Sequence, residues 1–353
     1  MIQTLLRLLP PETAHNFARW GMSKSMQAPG PYTSSQSIID LFGVRINNPI
    51  GLAAGFDKNG ELVDHISSYG FGFMEVGSVT NCGGVGNSGK RMFRVDEWDV
   101  ANRMGLNGMP AFVVSETLKK CSVHNYGVSV AKTHSPDIMG DKAIQDILDC
   151  YDLVKNFGAY TALNISCPNT KEGRTFEDSG PLNELLNSVN NRGRGKPLLV
   201  KFGPSLAGST VLKFVISICE DHGVDGYIAS NTMPSEVISG ISSDVVKAGR
   251  SGRRLRPFAL KMVSEIRQLT RKPIIGVGGI FTGVDAFLFH LVGANYFQAY
   301  NGFVRGPYAG PEFAHKVNKE LEDLRCTKID MSCPASSSQP MGIREMLNLP
   351  PNG

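Results

Sequence analysis

The sequence predicts an α/β chain folded as a (β/α)8 barrel with an N-terminal helical extension. Three observations carry that expectation. Eight short apolar runs alternate with longer stretches of helical periodicity from residue 48 onward. The span they occupy, 45–325, suits a barrel of about 250 residues with its loops. Clusters rich in Asn, Ser and Lys fall where the runs end, the place where barrels keep their chemistry. A doubly wound sheet is the competing arrangement, but no GxGxxG opens the first run.

In order, the strand-like runs are 49–56, 71–79, 126–131, 162–166, 198–202, 226–229, 274–277 and 296–300, and helical periodicity covers 142–157, 211–222, 258–269 and 283–291. The chain thus divides into a helical extension over 1–37, a barrel over 38–325 and a loosely structured tail over 326–353. In the extension, Ile2, Leu5, Leu6, Leu9, Phe17, Trp20, Met22 and Met26 are the apolar members, and Pro10-Pro11-Glu12 marks a turn between two helices. Such a pair either caps the bottom of the barrel or dips into a membrane interface. In the tail, 342–349 is a short helix candidate.

Composition narrows the function classes. Of 353 residues, 41% are hydrophobic and 19% charged, an ordinary globular balance. The net charge of +4 suits anionic small molecules or an anionic surface but is too small to argue for nucleic acid. Seven scattered cysteines form no CxxC and no Cys/His cluster, so neither a metal nor a disulfide framework is expected, and a reducing compartment is. No apolar stretch reaches the roughly 20 residues that span a bilayer.

The run ends hold the candidate chemistry. After the first comes Gly51-Leu-Ala-Ala-Gly-Phe-Asp-Lys58, where Ala53, Ala54 and Gly55 allow a flat ligand close to the backbone; Lys58 alone could equally be a solvated loop cation. After the fourth comes Asn164-Ile-Ser-Cys167-Pro-Asn169. Two amides offer donor and acceptor together, which matches the alternating edge of a pyrimidine, and a thiol between them can serve as a base if a cation lowers its pKa. An inert buried cysteine is the bland alternative, which its place at a strand end disfavours. Ser230-Asn231-Thr232 ends the sixth run. Lys201 ends the fifth, and burial there demands an anion or a ligand; a reduced flavin, anionic at N1, is such a partner. Gly278-Gly279 after the seventh run and Tyr300-Asn301 after the eighth suit the usual barrel phosphate site, at a helix N-terminus. Arg250-Ser-Gly-Arg-Arg-Leu-Arg256 reads as a solvated loop or as a phosphate contact, with Gly252 offering an amide.

Together GLAAGFDKNGE at 51, EVGSVT at 75, NISCPNT at 164, SNT at 230, SG at 251, IGVGGI at 275 and YNGF at 300 resemble the dihydroorotate dehydrogenase family, from about 5 to 317. The prefix PETAHNF at 11 and the GFDKNG loop resemble its quinone-dependent, membrane-associated branch. The resemblance implies an FMN-dependent oxidation of dihydroorotate to orotate, with a quinone as electron acceptor. Cys167 would be the base. Lys58, Asn102, Asn164, Asn169, Asn231 and Thr232 would hold the substrate. Ala54, Gly55, Ser78, Asn164, Lys201, Ser230, Gly252, Gly278, Gly279, Tyr300 and Asn301 would hold FMN, with His15 and Arg94 beside the quinone. It further implies a peripheral site on the cytoplasmic face of a bacterial inner membrane, or a cytoplasmic one if the prefix packs only on protein.

The chain also departs from the family pattern. The quinone branch carries Ser at the base position and the soluble branch Cys. Ser129, Ala131 and Thr133 stand where Asn, Gly and Asn are usual, Leu106 where an aromatic is usual, and Arg250 where a leucine is usual. Two alternatives stay open: a flavoenzyme of this family acting on another ring, and a silent flavin-binding protein.

Overall fold

The computed structural model describes residues 8–34, 39–166, 175–238 and 245–326. Cys167, Asn169, the first seven residues and the tail from 327 lie outside them. In chain order come α1 (Pro11–Met22), the hairpin of β1 (Ile39–Leu41) and β2 (Val44–Ile46), β3 (Ile50–Leu52), β4 (Phe73–Val79), β5 (Met92–Arg94), β6 (Val100–Asn102) and α2 (Ala111–Leu118). There follow β7 (Tyr126–Val130), α3 (Asp141–Val154), β8 (Tyr160–Asn164), α4 (Ser179–Asn191), β9 (Leu198–Phe202), α5 (Val211–Asp221) and β10 (Gly226–Ala229). The last part runs β11 (Met233–Ile238), β12 (Val245–Ser251), α6 (Arg256–Leu269), β13 (Ile274–Val277), α7 (Gly283–Leu291), β14 (Tyr296–Ala299), α8 (Asn301–Val304) and α9 (Phe313–Cys326).

Strands β3, β4, β7, β8, β9, β10, β13 and β14 form a closed parallel barrel in chain order, with β14 pairing back onto β3 through Phe297 opposite Ile50. All eight expected runs are barrel strands. The first is only Ile50–Leu52, because the chain turns at Ala53, and the fourth starts at Tyr160 rather than 162. The helices bury one stripe each: α3 turns Ala143, Ile144, Ile147, Leu148, Tyr151 and Val154 inward at helical spacing. Each such aliphatic side chain contributes about 1.5–3 kcal/mol.

Side chains alternate along the strands, so the lumen fills in layers. Phe73, Tyr160, Leu199, Ile228, Ile275 and Tyr296 make the lower layer with Leu41 and Ile46 of the hairpin. The Phe42 ring of the same hairpin lies 5.5 Å from Tyr160 and 5.9 Å from Tyr296. The bottom is therefore plugged by β1–β2. That corrects the expectation of a prefix capping the bottom: α1 sits at the opposite end, with His15 hydrogen-bonded to Tyr300 just past β14. Gly127 is required by packing, since a Cβ there would stand 2.1 Å from the Tyr160 ring.

A four-stranded antiparallel sheet, β11-β12-β6-β5, covers the C-terminal end of the barrel and carries α1 on its edge. Glu12 of α1 pairs with Arg91, and Arg94 Nη2 donates to the Leu9 carbonyl at 2.7 Å. Arg250 on β12 pairs with Asp96 and Asp99, so the arginine in place of the usual leucine braces the loop between β5 and β6.

Candidate active site

Two cavities open at the C-terminal ends of the barrel strands. The first measures about 990 Å³ and the second about 620 Å³, and His15, Met92, Val100 and Tyr300 line both. The first gathers Ala54, Gly55, Lys58, Ser78, Asn102, Asn164, Lys201, Ser230, Asn231, Thr232, Gly252, Gly278, Gly279, Tyr300 and Asn301, and Arg94 lines only the second. Residues far apart in sequence thus meet because most of them lie at or just past the end of a strand of one closed barrel, with Asn102 and Gly252 brought in by the covering sheet.

A row of hydrogen bonds crosses the strand ends. Ser129 Oγ and Ser78 Oγ lie 2.8 Å apart, and Asn164 Nδ2 donates to Ser78 Oγ at 3.2 Å. Asn231 Nδ2 donates to Asn164 Oδ1 at 3.2 Å and to Ser166 Oγ at 2.6 Å, and the Thr232 backbone N–H donates to Asn231 Oδ1 at 2.8 Å. The amides are thereby locked in one orientation, so a planar ring meets fixed donors and acceptors. Ser129 is absorbed into this row through a hydroxyl. Asn102, at the end of β6, donates to the Gly249 carbonyl at 3.4 Å and faces the row from the covering sheet.

Charge in this cavity is lopsided. Lys58, Arg103, Lys132, Lys201 and Lys247 line it, and Glu177 is the sole carboxylate among its described lining residues. Lys58 Nζ donates to the Gly55 carbonyl at 3.0 Å. Burial, reinforced by nearby Arg19, pulls its ammonium down to about 8. An anionic ligand would restore the charge that burial disfavours. Glu177 accepts from the Gly203 N–H at 2.5 Å, and burial pushes its carboxyl upward.

Lys201 already has an anionic partner. Its Nζ stands 3.0 Å from Glu75 Oε1, both groups buried at the barrel centre. The anion that its burial required is thus supplied by the protein, and a ligand would be a second partner. Three of the groups expected at the phosphate and flavin already have hydrogen-bond partners within the protein. The N-terminus of α7 is spent internally: Phe281 and Thr282 N–H groups donate to Asp285 and the Gly283 N–H to Glu320, so this helix has little left for a phosphate. The Asn301 carboxamide is also committed, donating to the Ser251 and Trp98 carbonyls at 2.9 and 3.3 Å. The Ser230 hydroxyl, likewise, donates to the Asn231 carbonyl at 3.0 Å. What remains for an anion is the backbone where β12, β13 and β14 end: Gly252 at φ +122°, Gly278 at +128° and Gly279 at +74°, beside the start of the short helix α8.

The second cavity is lined by α1 (Ala14, Phe17, Ala18, Met22), by Met92 and Arg94 of β5, and by Tyr300 and Phe303. Where it meets the first, Tyr300 Oη and His15 Nδ1 lie 3.2 Å apart, and the His15 ring sits edge-on to Phe56 at 4.8 Å. Burial, with Lys58 and Arg19 nearby, holds His15 down at about 3, so it is neutral near pH 7.

A family model described as dihydroorotate dehydrogenase matches residues 38–324. The chain belongs to the dihydroorotate dehydrogenase family. Among family members, the dihydroorotate dehydrogenase (quinone) of Proteus mirabilis is 34% identical over 337 residues, covering 90% of this chain and 98% of its own. That of Natronomonas pharaonis is 37% identical over 291 residues, 81% of each chain. A crystal structure of the Eimeria tenella enzyme in complex with ferulenol superposes with a TM-score of 0.76 at 29% identity, covering 89% of this chain and 91% of that one. Family membership makes the barrel a flavin-dependent oxidoreductase scaffold. Three residues of the site were given no role from sequence: Glu75, although it opens the EVGSVT motif, and Glu177 and Gln298, which lie in none of the quoted motifs. Strand alternation, which puts Glu75 inward two residues after Phe73, is the signal that could have found the first.

Proposed function

We propose that this chain oxidises dihydroorotate to orotate with FMN and passes the electrons to a quinone. The observation that carries the reading is the juxtaposition of two differently lined cavities: one over the barrel rich in lysines and amides, and one under α1 lined by Ala14, Phe17, Ala18 and Met22 with Arg94 at its wall, meeting at His15 and Tyr300. FMN fits the first on the chemistry of its donors. Glycine backbone at positive φ offers N–H groups to a phosphate, Lys201 offers a cation, and Ala54 and Gly55 leave the wall flat. When bound, FMN supplies the hydride-accepting and electron-passing chemistry.

The protein does the rest. Lys58 and Asn102 hold the substrate carboxylate, and Asn164, Asn231 and Thr232, with Asn169, hold the ring edge. The fixed amides orient C5 and C6 of the dihydropyrimidine. Cys167 takes the C5 proton as general base while the C6 hydride leaves, and the covering sheet keeps water out. A thiol has an ordinary pKa near 8.5, so thiolate is available at mild pH. The extension over 1–37 forms the quinone entrance, with Arg94 and His15 beside it, and the tail follows the barrel. Phe17, Trp20 and Met26 are exposed on the extension beside the second cavity, which suits peripheral contact with a membrane; no described helix is long and apolar enough to cross one.

Anaerobic dihydroorotate should bleach the visible flavin band of the purified protein. No bleaching at millimolar substrate would sink this reading in favour of a second one, the same chemistry on a different ring. The Ser129–Ser78 hydroxyl pair and Leu106 in the cavity wall are the observations that favour that second reading.

A further inference from the structure

Below the cavity floor, four polar side chains from four barrel strands converge. Glu75 of β4 accepts from Lys201 Nζ of β9 at 3.0 Å, from Tyr160 Oη of β8 at 3.0 Å and from Gln298 Nε2 of β14 at 3.1 Å. Gln298 Nε2 also reaches Tyr160 Oη at 3.1 Å, and Gln298 Oε1 is buried without a hydrogen-bond partner. Lys201 and Gln298 line the cavity, whereas Glu75 and Tyr160 are fully buried beneath it.

Barrel interiors at this depth are ordinarily filled by Val, Ile and Leu. A buried ion pair is a poor substitute on grounds of stability, because desolvating two charges offsets most of their attraction. Fold alone therefore does not account for the cluster. Its position does: the ammonium faces the cavity and the carboxylate sits behind it, in a medium where charge is weakly screened.

We infer that Glu75 is a positioning residue that holds Lys201 at the cavity floor and, by countering its charge, sets how readily a flavin bound there accepts electrons. This rests on the reading that the cavity binds FMN. Reduction adds negative charge to the cavity; Lys201 favours that charge and Glu75 opposes it. Tyr160 and Gln298 fix the balance by donating to the carboxylate.

The test is the FMN midpoint potential, measured by dithionite titration against a reference dye with no dihydroorotate present. Glu75→Gln keeps the shape, removes the opposing charge and shifts the potential to more positive values. Tyr160→Phe removes one donor, leaves the carboxylate less neutralised and shifts it to more negative values. If Glu75→Gln does not fold, the sign in Tyr160→Phe decides. Wild-type potentials in both variants, or shifts of the opposite sign, would overturn the inference; a merely structural cluster lowers thermal stability and leaves the potential in place. Failure of the wild-type protein to bind FMN would overturn the functional reading as well.

Discussion

At Lys58 the cost of burial and the demands of binding act on the same proton. Its folded value near 8 lies below the ordinary 10.5, so burial weakens its hold on the proton and the ammonium gives way to the amine as pH rises through about 8. A substrate carboxylate needs the ammonium. Rising pH through about 8 should therefore lower kcat/KM for dihydroorotate, and Lys58→Met should lower it about 10- to 100-fold at neutral pH, the loss of one charged hydrogen bond. Cys167 works in the opposite direction: activity should rise as its thiol ionises, and Cys167→Ser should move that limb to higher pH. Retention of near-full flavin reduction in Cys167→Ala would remove the thiol from the mechanism. Gly252 tests the phosphate cradle. At φ +122° a Cβ would meet Asp99 Oδ1 at 2.4 Å and the Trp98 carbonyl at 2.6 Å, so Gly252→Ala should weaken FMN retention, read as flavin content after dialysis.

Among elements, α1 makes the site two-chambered. It docks on β5 through Glu12–Arg91 and Arg94–Leu9, and its buried His15 stays neutral. With a folded value near 3 against an unfolded 6.5, the folded state refuses a proton that the unfolded state accepts below pH 6.5. This contribution is complete above 6.5 and is lost progressively toward pH 3. Limited proteolysis of the extension should accelerate across that window and not above it. Arg91→Met should slow flavin reoxidation by quinone while leaving flavin reduction by dihydroorotate unchanged. The barrel strands were legible in sequence because a buried parallel strand is a near-continuous apolar run. Strands β5, β6, β11 and β12 were not. They are short or interrupted by Lys247, Gly249 and Arg250, and one face stays wet, so their register depends on partners up to 151 residues away. The Ser78–Ser129 and His15–Tyr300 contacts were invisible for the same reason, 51 and 285 residues apart. Lys58, Asn164 and Asn231 were legible because strand ends in a barrel converge whatever lies between them.

On the scale of the whole molecule, one end of the barrel is closed by a hairpin and the other is divided between two cavities with different linings, one set with lysines and amides and the other with the side chains of α1. That division suits a two-half reaction in which an anionic ring and an apolar acceptor never compete for one place. The measurement that reaches this claim most directly is anaerobic double-mixing stopped flow. The protein is mixed first with dihydroorotate and then with a soluble quinone. The account predicts that the flavin band bleaches in the first mix, with one orotate formed per flavin, and returns in the second while orotate is still bound. A band that stays intact in the first mix, or returns only after orotate has left, would contradict it.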